Sequence, residues 1–568
     1  MNIKATITPN LSGNPISIQT LDRKQPMKEK LHYCLATATV FWACLISPAQ
    51  AAVVLPPIFG TNMVVQKDEP LNFWGWADAG EKITIKQGGA VVATAVGEGK
   101  EKPWRAKLPA QKQGAVADIE VAGSNTITLK NILAGEVWLC TGQSNMVMTL
   151  LKGYTPVLNG EAEAAAATDE QIRFYQGGGN NSTPPKMTSE AKESWAVCSP
   201  ESAARFSAVG YFFAKKLRSE RKVPVGLICL AAGGRPAEWF APERVMEKDT
   251  EFQAQKAEAL ALKAKLGAKA DADKKAGGEY RKLAMEAKSK HEKAPPQPPN
   301  QLTPEEAAKM SAAQVYLDFG FLYRRDMQAL NPVPLAGFIW YQGESNATRG
   351  EQYAGLMTKI IQGWREDWGG KPLPLIMVAL AGYECGEKEP TAMTAKGVSW
   401  PLVREAMLKV AATVPNTGVV SAVDVGDPTN IHPANKKPVG ERAGLWALNH
   451  VYGQKVVCEG PGFGKVAFSA GKAVVPLATN KEGVVLKSPG GFELAGEDRK
   501  FVPAKAELKG ETLEVTAPEV SKPVALRYAF LNFPECTLYN GAGLPAMPFR
   551  TDDWPLVPSA APAGPSKK

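Results

Sequence analysis

Hydrophobic and polar residues alternate in short runs over residues 52–132, and Gly and Asp residues interrupt these runs. A two-residue period is typical of strands with one buried face, and Gly and Asp favour the turns between strands. The segment is therefore predicted to be an N-terminal β-domain of the β-sandwich type. The runs that carry the pattern are Leu71 to Trp76, Lys82 to Lys86, Ala90 to Ala95, Asp118 to Val121 and Thr126 to Leu129.

The pattern changes over residues 133–458, where short apolar runs alternate with stretches of helical period. Strands that alternate with helices indicate an α/β domain whose largely parallel sheet is covered on both faces. The predicted strands are Glu136 to Cys140, Val225 to Leu230, Leu335 to Tyr341, Leu373 to Leu380 and Gly418 to Val425. The predicted helices are Ala203 to Arg218, Glu351 to Trp364, Pro401 to Ala412 and Pro438 to Tyr452.

Residues 242–316 interrupt this alternation with an Ala/Lys/Glu-rich run and a Pro-rich stretch at 294–299. This composition predicts a charged helix or helical hairpin on the surface, followed by an extended linker. Short strands return over residues 459–556, which are predicted to form a C-terminal β-domain. The Pro/Ala-rich tail, residues 557–568, is predicted to be disordered.

Residues 1–51 have the pattern of an export signal. Beginning at Met27, two lysines precede an apolar run from Leu31 to Ser47, and Pro48-Ala49-Gln50-Ala51 follows it as a cleavage signal. An apolar run of about 17 residues is short for a transmembrane helix. We expect cleavage after Ala51, a secreted or periplasmic protein, and no stable membrane association afterwards. The polar leader before Met27 indicates a misplaced start.

The composition is that of a globular protein with several buried cores: 44% of the 568 residues are hydrophobic and 22% are charged. The net charge of +9 is not concentrated on a basic segment with interleaved aromatic residues, so we predict no nucleic-acid partner. The six cysteines beyond residue 51 are singly spaced, which excludes zinc sites of the finger or ribbon type. No metal or organic cofactor is implied, and nothing in the sequence predicts the oligomeric state.

One histidine stands out among four. His432 lies directly after a predicted buried strand, where α/β sheets present functional groups, and Asp424 and Asp427 precede it in the same loop. A histidine beside carboxylates can be held in one tautomer and can act as a base. The other three are His32 in the signal, His291 in the charged insertion and His450 within a predicted helix.

A serine has a comparable setting. In the segment GEVWLCTGQSNM, which ends at Met146, a strand runs into a Gly-containing turn, and Ser144 then opens a predicted helix. Free N–H groups at a helix start favour developing negative charge, although Ser is also common there simply as a cap. The G-x-S-x-G pattern of ordinary lipases is not met, because Met146 stands at the position of the second Gly.

Four segments together carry a resemblance to a known family. GEVWLCTGQSNM, GLICLAAGG at 226–234, GFIWYQGESNA at 337–347, and DVGDPTNIHP followed by VGERAG closely resemble the four sequence blocks of the sialate O-acetylesterase family, a branch of the SGNH-type hydrolases. Residues 55–75, VALRYAF, and GLPAMPFR at 543–550 resemble the ends of that family. The resemblance implies a flavodoxin-like SGNH hydrolase domain with a parallel sheet, flanked by N-terminal and C-terminal β-sandwich-like domains.

The resemblance also implies roles for individual residues. Ser144 matches the family's nucleophile and His432 its general base. The backbone N–H groups of Ser144 and Gly234 and the side chain of Asn346 match the oxyanion hole, which stabilises the tetrahedral intermediate. Gln342 and Glu344 lie in the same block as Asn346, and for them shaping of the site and structural hydrogen bonding are equally open.

The acidic member of the triad is where this sequence departs from the family. Asn430 stands where many relatives carry an acidic residue, and Thr429 stands where the usual SGNH arrangement has Asp. The carboxylate that orients His432 must then be Asp427, which we favour, or Asp424, or else a backbone carbonyl replaces it.

The sequence therefore predicts an exported serine esterase that hydrolyses O-acetyl esters of carbohydrates through an acetyl-enzyme. Its partner is an acetylated sugar or glycan, and sialic acids and acetylated polysaccharides such as acetyl-xylan both remain open as substrates. A non-catalytic carbohydrate-binding protein of the same fold is the alternative from another class. A two-carboxylate glycosidase is a weaker one, since sequence cannot measure the separation of two acids.

Overall fold

The computed structural model describes residues 52–177, 194–330, 332–387, 390–469, 471–479 and 482–557. The predicted export signal, residues 1–51, and residues 558–568 of the predicted tail lie outside the described residues. Within the described ranges, no helix combines the length and the apolar composition that a membrane span requires.

Eight short strands precede the central sheet. They are β1 Val64–Gln66, β2 Leu71–Gly75, β3 Lys82–Gln87, β4 Ala90–Val96, β5 Trp104–Leu108, β6 Gly114–Val116, β7 Ile119–Ala122 and β8 Thr126–Leu129. Strands β4, β3, β7 and β8 form one antiparallel sheet in that order, and β2 pairs with β5. Along β3 and β7 buried residues alternate with more exposed ones, as the two-residue period predicts.

The central sheet contains seven further strands: β9 Ile132–Gly142, β10 Asp169–Gly177, β11 Trp195–Cys198, β12 Val225–Ala231, β13 Gly337–Tyr341, β14 Leu375–Ala379 and β15 Thr417–Ser421. Their order is β11-β10-β12-β9-β13-β14-β15, and all neighbours are parallel except the β11–β10 pair at the edge. The N-terminal strands β1 and β6 pair with the first residues of β9. This parallel sheet, flanked by antiparallel sheets, confirms the α/β class.

Two sequence expectations for this sheet were wrong. The edge strands β10 and β11 were not predicted, and the strand predicted to continue to residue 425 ends at Ser421. A 3₁₀ turn, Val423–Val425, follows it, so Asp424 lies in a turn and not at a strand end. The predicted helix that was to end at Tyr452 also stops at Trp446, where a π turn, Ala447–Val451, begins.

Nine α-helices are described. They are α1 Ser144–Val147, α2 Gly160–Ala165, α3 Pro200–Arg205, α4 Ala208–Arg221, α5 Thr250–Ser289, α6 Pro304–Leu317, α7 Gly350–Asp367, α8 Trp400–Thr413 and α9 Lys437–Trp446. Helices α4 and α9 pack against each other, α7 packs against α8, and both pairs also contact the central sheet or its connecting turns. The long α5 and the antiparallel α6 form the hairpin expected within residues 242–316.

The C-terminal part is built from antiparallel strands. They are β16 Gly462–Phe463, β17 Ala467–Ser469, β18 Lys472–Ala478, β19 Val484–Leu486, β20 Phe492–Ala495, β21 Val502–Lys509, β22 Thr512–Thr516, β23 Ala525–Tyr528, β24 Leu538–Asn540 and β25 Phe549–Arg550. Leu494, Leu513 and Leu526 belong to a hydrophobic core of this part alone. A larger core runs from Val53 to Leu448, so the N-terminal strands and the central sheet share one core.

The register of the parallel strands brings three chain reversals together. Gly142 at the end of β9 pairs with Ala231 at the end of β12 and with Tyr341 at the end of β13. The segments that follow these three strands therefore leave the sheet side by side, at its carboxyl edge. Ligands of open α/β sheets bind at this edge.

Candidate active site

Ser144 follows the central strand β9, which is buried along its whole length. β9 ends at Gly142, whose φ of +131° favours glycine, and a Cβ there would lie 2.2 Å from the carbonyl oxygen of Tyr341. After Gln143 the chain enters α1, so Ser144 is the first residue of that short helix. A glycine that no other residue can replace thus produces the tight turn that holds Ser144 at the carboxyl edge of the sheet.

His432 meets Ser144 directly. The Nε2 atom of His432 lies 2.8 Å from Oγ of Ser144, which is hydrogen-bond distance. The histidine belongs to the segment between β15 and α9, and its backbone N–H donates to Oδ1 of Asn430 at 2.9 Å. Residues 288 positions apart are thus brought together as a hydroxyl and an imidazole.

The surroundings of His432 keep its imidazole neutral. Burial and, second, the positive charge of Lys436 lower the pKa of His432 from 6.5 to about 4. A neutral imidazole can accept a proton from a hydroxyl, whereas a protonated one cannot. Near neutral pH, Nε2 is therefore available as an acceptor for the proton of Ser144.

Asp427, the favoured acid, forms its hydrogen bonds within its own loop. Its Oδ1 accepts the backbone N–H of Thr429 at 2.8 Å, the hydroxyl of Thr429 at 3.0 Å and the backbone N–H of Asn430 at 2.9 Å. These bonds lower the pKa of Asp427, chiefly through the backbone of Thr429. Within the described residues its carboxylate makes no hydrogen bond to His432. Local bonds from Asp to the backbone two and three residues later compete well with longer-range contacts, and here they prevail.

Asp424, the other candidate acid, is engaged by an arginine. Its two oxygens receive NH1 and NH2 of Arg442 at 2.6 and 2.8 Å, and both side chains are buried. The hydroxyl of Tyr539 adds a contact at 3.5 Å. In the part of the chain that the structure describes, no carboxylate forms a hydrogen bond with His432. Neither Asp427 nor Asp424 therefore makes the contact with the histidine that was expected of the acid.

Asn430, which departs from the family pattern, joins two loops. Its Oδ1 accepts the N–H of His432, and its Nδ2 donates to Oγ1 of Thr155 at 2.7 Å. An amide can accept and donate at once, whereas an ionised carboxylate can only accept. The neighbouring Tyr154 stacks on the His432 ring. Sequence reasoning missed Tyr154, because nothing in a Gly-containing surface loop indicates an aromatic contact with a residue far along the chain.

The glycine turn after β12 lies beside the serine. Gly234 has a φ of +66°, and a Cβ on the preceding Gly233 would lie 3.7 Å from Cβ of Ser144. Apart from its two chain neighbours, no described residue has a heavy atom within 4 Å of a Cβ built on Gly234, so this stretch of backbone is open on that side. The structure therefore brings the turn that contains Gly234 next to Ser144.

Asn346 is buried in a network of fixed polar groups. Its Oδ1 accepts the N–H of Ala237 at 3.0 Å and Nε2 of Gln342 at 2.6 Å, and its Nδ2 donates to Oε2 of Glu238 at 2.9 Å. An amide nitrogen carries two hydrogens. Glu238 is the acceptor found among the described residues, which leaves one N–H for another partner.

Gln342 has a structural place in the same network. Besides its bond to Asn346, Nε2 donates to the carbonyl oxygen of Arg235 at 3.2 Å, and Oε1 accepts the hydroxyl of Tyr353 at 2.9 Å. Its side chain is wholly buried, and each end is occupied by protein groups. Of the two uses that the sequence left open, the contacts favour structural hydrogen bonding that holds the turn after β12.

Glu344 faces a different network, which contains two residues that sequence reasoning missed. Its Oε1 accepts Nδ2 of Asn145, and Oδ1 of Asn145 accepts Nζ of Lys436 at 2.6 Å. Asn145 directly follows Ser144, and Lys436 lies four residues after His432. That proximity in sequence was the available signal. This signal did not identify Lys436, because two adjacent lysines are ordinarily predicted to have solvent-exposed side chains.

One group of possible metal ligands lies elsewhere in the described chain. Ligand atoms of His450, Cys458 and Glu459 all fall within 4.8 Å of one another, on exposed or partly exposed residues. They border a cavity of about 510 Å³ whose lining includes Trp446 and Phe463 but neither Ser144 nor His432. These ligands are thus separate from the serine–histidine pair.

Comparisons with known proteins place the chain among carbohydrate esterases. Residues 314–442 match a family model described as a carbohydrate esterase, sialic acid-specific acetylesterase. The sialate O-acetylesterase of Rattus norvegicus is 25% identical over 536 residues, which cover 86% of this chain and 92% of that protein. The Homo sapiens sialate O-acetylesterase is 25% identical, with coverage of 86% and 90%.

A solved structure extends the likeness to three dimensions. The crystal structure of a carbohydrate acetylesterase from Xanthomonas citri shares 29% identity with this chain, at a TM-score of 0.69. The match covers 88% of this chain and 100% of that one. Taken with the family match and the curated relatives, it shows that the chain is a carboxylic ester hydrolase similar to the sialate O-acetylesterases.

Proposed function

We propose that the protein is an exported serine esterase that removes O-acetyl groups from sugars, with Ser144 as nucleophile and His432 as general base. The observation that carries the proposal is the distance of 2.8 Å between Oγ of Ser144 and Nε2 of His432. The pair lies at the carboxyl edge of a parallel sheet, and burial keeps the imidazole neutral. A hydroxyl and a neutral imidazole at hydrogen-bond distance are the minimum that nucleophilic catalysis by serine requires.

In the first half of the reaction, Oγ of Ser144 attacks the acetyl carbonyl carbon while Nε2 of His432 takes the hydroxyl proton. The carbonyl oxygen becomes an oxyanion, which the N–H groups of Ser144 and Gly234 and the remaining N–H of Asn346 stabilise. The tetrahedral intermediate collapses with cleavage of the bond to the sugar oxygen. The imidazolium returns its proton to that oxygen, and the sugar leaves as an alcohol.

In the second half, water replaces the sugar. His432 takes a proton from water as its oxygen attacks the acetyl carbon bound to Ser144. Collapse of the second intermediate breaks the bond to Oγ, and the proton on His432 returns to Ser144. Acetate and free enzyme remain, so the imidazole serves as base and acid in each half.

The strand order supports an SGNH-type, flavodoxin-like hydrolase domain. Five strands bear or adjoin the four sequence blocks, and in chain order they are β9, β12, β13, β14 and β15. Their order in space is 2-1-3-4-5, the order of flavodoxin-like folds. We propose N-terminal and C-terminal β-domains at about 52–132 and 459–556 on either side of it.

For the substrate we propose an O-acetylated sugar. The supporting observation is that the similar proteins include two sialate O-acetylesterases and one carbohydrate acetylesterase. Acetylated sialic acid and acetylated polysaccharide such as acetyl-xylan are separated by a panel that scores kcat/KM on each, with acetate release as the common readout. A preference of about tenfold or more for one member assigns the class.

The test of the site is the Ser144→Ala variant. Removal of the nucleophile should lower acetate release by about 10³-fold or more with an unchanged melting temperature. Ser219→Ala is the matched control, because Ser219 is exposed on α4 and its hydroxyl donates to the nearby carbonyl oxygen of Lys216. A folded Ser144→Ala variant that keeps more than about a tenth of the activity would exclude Ser144 as nucleophile.

Export has its own test. The proposal rests on the sequence of residues 27–51, and it predicts that mature protein recovered outside the cytoplasm begins at Ala52. N-terminal sequencing of the protein from the periplasm or the medium gives the answer. An intact N-terminus on protein from the cytoplasm alone would contradict export.

A further inference from the structure

Lys436 is a fully buried lysine beside the serine–histidine pair. Its Nζ donates to Oδ1 of Asn145 at 2.6 Å and lies 5.6 Å from the centre of the Tyr341 ring. Burial lowers the pKa of Lys436 from 10.5 to about 7, against the opposing charge of Glu344. A buried ammonium group is unfavourable unless it is paired and hydrogen bonded, so a lysine here needs a reason.

Asn145 is the group that connects this lysine to an acid. Its Nδ2 donates to Oε1 of Glu344 and, at 3.1 Å, to the carbonyl oxygen of Ile431. The ammonium of Lys436 can only donate, so it fixes the oxygen of the Asn145 amide on its own side. The amide nitrogen then donates one N–H to Glu344, whose pKa is raised by burial, and directs the other N–H to Ile431.

Ile431 connects the amide of Asn145 to His432, the proposed base. The carbonyl of Ile431 belongs to the peptide group whose N–H is that of His432, and this N–H donates to Oδ1 of Asn430. Side-chain amides thus hold both ends of the peptide group that precedes the imidazole. Asn145 also follows Ser144 directly, so one residue is tied to the nucleophile by the chain and to the base by a hydrogen bond.

We propose that Lys436, Asn145 and Glu344 form a positioning unit that holds His432 against Ser144, in place of an orienting carboxylate. The inference rests on the proposed function, because it assigns residues that act through the proposed base. It also explains why this site can use Asp424 and Asp427 for other contacts. None of the three residues is assigned contact with the reacting atoms, and all three act through the placement of His432.

A unit that served only stability would behave differently from a positioning unit. A displacement of about 1 Å in a catalytic group can cost about 10²-fold in rate, with little effect on substrate binding. Lys436 has a second consequence, because its charge is one of the two causes that lower the pKa of His432. Among the described residues, Lys436 contacts Asn145 and the Tyr341 ring, and the charge of Glu344 acts on it. The His432 ring contacts Ser144 and Tyr154, and the charge of Lys436 acts on it.

The experiment compares Lys436→Met with Lys437→Met in the full mature chain. Lys437 is the matched control, since it is exposed and pairs with Glu163 at 3.2 Å on the surface. We expect Lys436→Met to lower kcat by about 10- to 100-fold with KM nearly unchanged, and to move the acidic limb of kcat/KM to higher pH. Lys437→Met should match the wild type in both measurements.

Asn145→Ala separates position from charge, because it cuts the link to Ile431 and leaves the lysine in place. It should lower kcat, and the acidic limb should move much less than in Lys436→Met. In the Ser144→Ala background, the imidazole signal of His432 in NMR spectra should report a higher pKa with Lys436→Met than without it. That readout needs no turnover, so it remains informative if Ser144 is not the nucleophile.

Three results would overturn the positioning unit. One is a folded Lys436→Met or Asn145→Ala variant whose kcat stays within about threefold of the wild type. Another is an acidic limb and a His432 pKa that Lys436→Met leaves unchanged. The third is that neither variant folds, since the unit would then be needed for stability and not for the placement of His432. A Ser144→Ala variant that stays active instead contradicts the proposed function.

Discussion

The ring of Tyr154 lies parallel to the imidazole of His432, with 10° between the planes and 4.1 Å between the centroids. The tyrosine is 54% exposed, so its other face is open to solvent. A Cβ built on Gly233 would lie only 2.3 Å from its hydroxyl oxygen, so the ring also reaches the glycine turn beside Ser144. Tyr154 therefore covers one face of the imidazole and borders the space above the serine.

This contact predicts different effects for two substitutions. Tyr154→Phe keeps the stacked ring and should retain kcat within about twofold. Tyr154→Ala removes it, exposes the imidazole and frees its rotation, and should lower kcat/KM by about tenfold. Steady-state kinetics on a soluble acetyl ester measure both. Equal activity of the Ala and Phe variants would show that stacking on His432 has no catalytic value.

Asp427→Asn is expected to be mild. An acid that orients the imidazole of a triad contributes about 10²- to 10⁴-fold to kcat. In this structure the Asp427 carboxylate accepts bonds from Thr429 and Asn430, and the Oδ1 of an asparagine can accept the same bonds. We expect kcat within about threefold of the wild type. A fall in kcat of about 100-fold with a normal melting temperature would instead show that Asp427 orients the imidazole of His432.

Asp424→Asn should act on stability. The substitution leaves the buried guanidinium of Arg442 without its paired charge, and removal of one partner from a buried ion pair costs about 3 to 5 kcal/mol. The free energy of unfolding from denaturant titration should fall accordingly, while kcat of the folded fraction is retained. Asp427→Asn is the matched control, since it is the same chemical change three residues along. A lower kcat at unchanged stability would contradict this assignment.

The sequence singled out Ser144 and His432, because both lay where parallel strands end and both belonged to recognised blocks, and the structure places them at hydrogen-bond distance. The acid was not predictable in the same way. Asp427 is close to His432 in the chain, but its nearest donors are the N–H groups of its own turn. Hydrogen bonds within a loop depend on dihedral angles, which spacing alone does not give.

Lys436 shows a second limit. Burial of a lysine is rare, so the adjacent Lys436 and Lys437 predict two solvent-exposed side chains, and only the fold reveals that the residue before α9 lies inside the protein. The edge strands β10 and β11 were missed for a related reason. β10 carries charged residues at both its start and its middle, and its polar Arg173 is nevertheless buried.

The pH dependence of the reaction follows from the pKa of His432. The base must be neutral to accept the serine proton, and its pKa is lowered from 6.5 to about 4, chiefly by burial. Activity should thus rise as the pH increases through about 4, and not through the ordinary histidine pKa of 6.5. The profile of kcat/KM on a neutral acetyl ester measures this limb. An acidic limb at pH 6 to 7 would mean that the imidazole is better solvated, or better paired, than the structure indicates.

The helical insertion should be dispensable when its inner contacts are kept. Phe252 on α5 contacts Tyr316 at the end of α6 and the core residue Phe319, with ring centroids 5.7 and 4.5 Å apart. Farther out, Leu266, Leu302 and Met310 form a small core separate from the main one. The helices run antiparallel, with Phe252 beside Tyr316, so we expect positions one turn farther out, 256 and 312, to lie across the hairpin from each other.

A linker of about four Gly/Ser residues spans the distance between packed helices, about 8 to 10 Å, so it can replace residues 257–311. We expect this variant to keep its melting temperature within a few degrees and its kcat within about twofold, because loop-closure entropy varies slowly with length. The matched variant removes residues 250–317, including Phe252 and Tyr316, and should be markedly less stable because it also exposes Phe319. If the shorter deletion alone abolished activity on a soluble ester, the outer hairpin would have to contribute to the site.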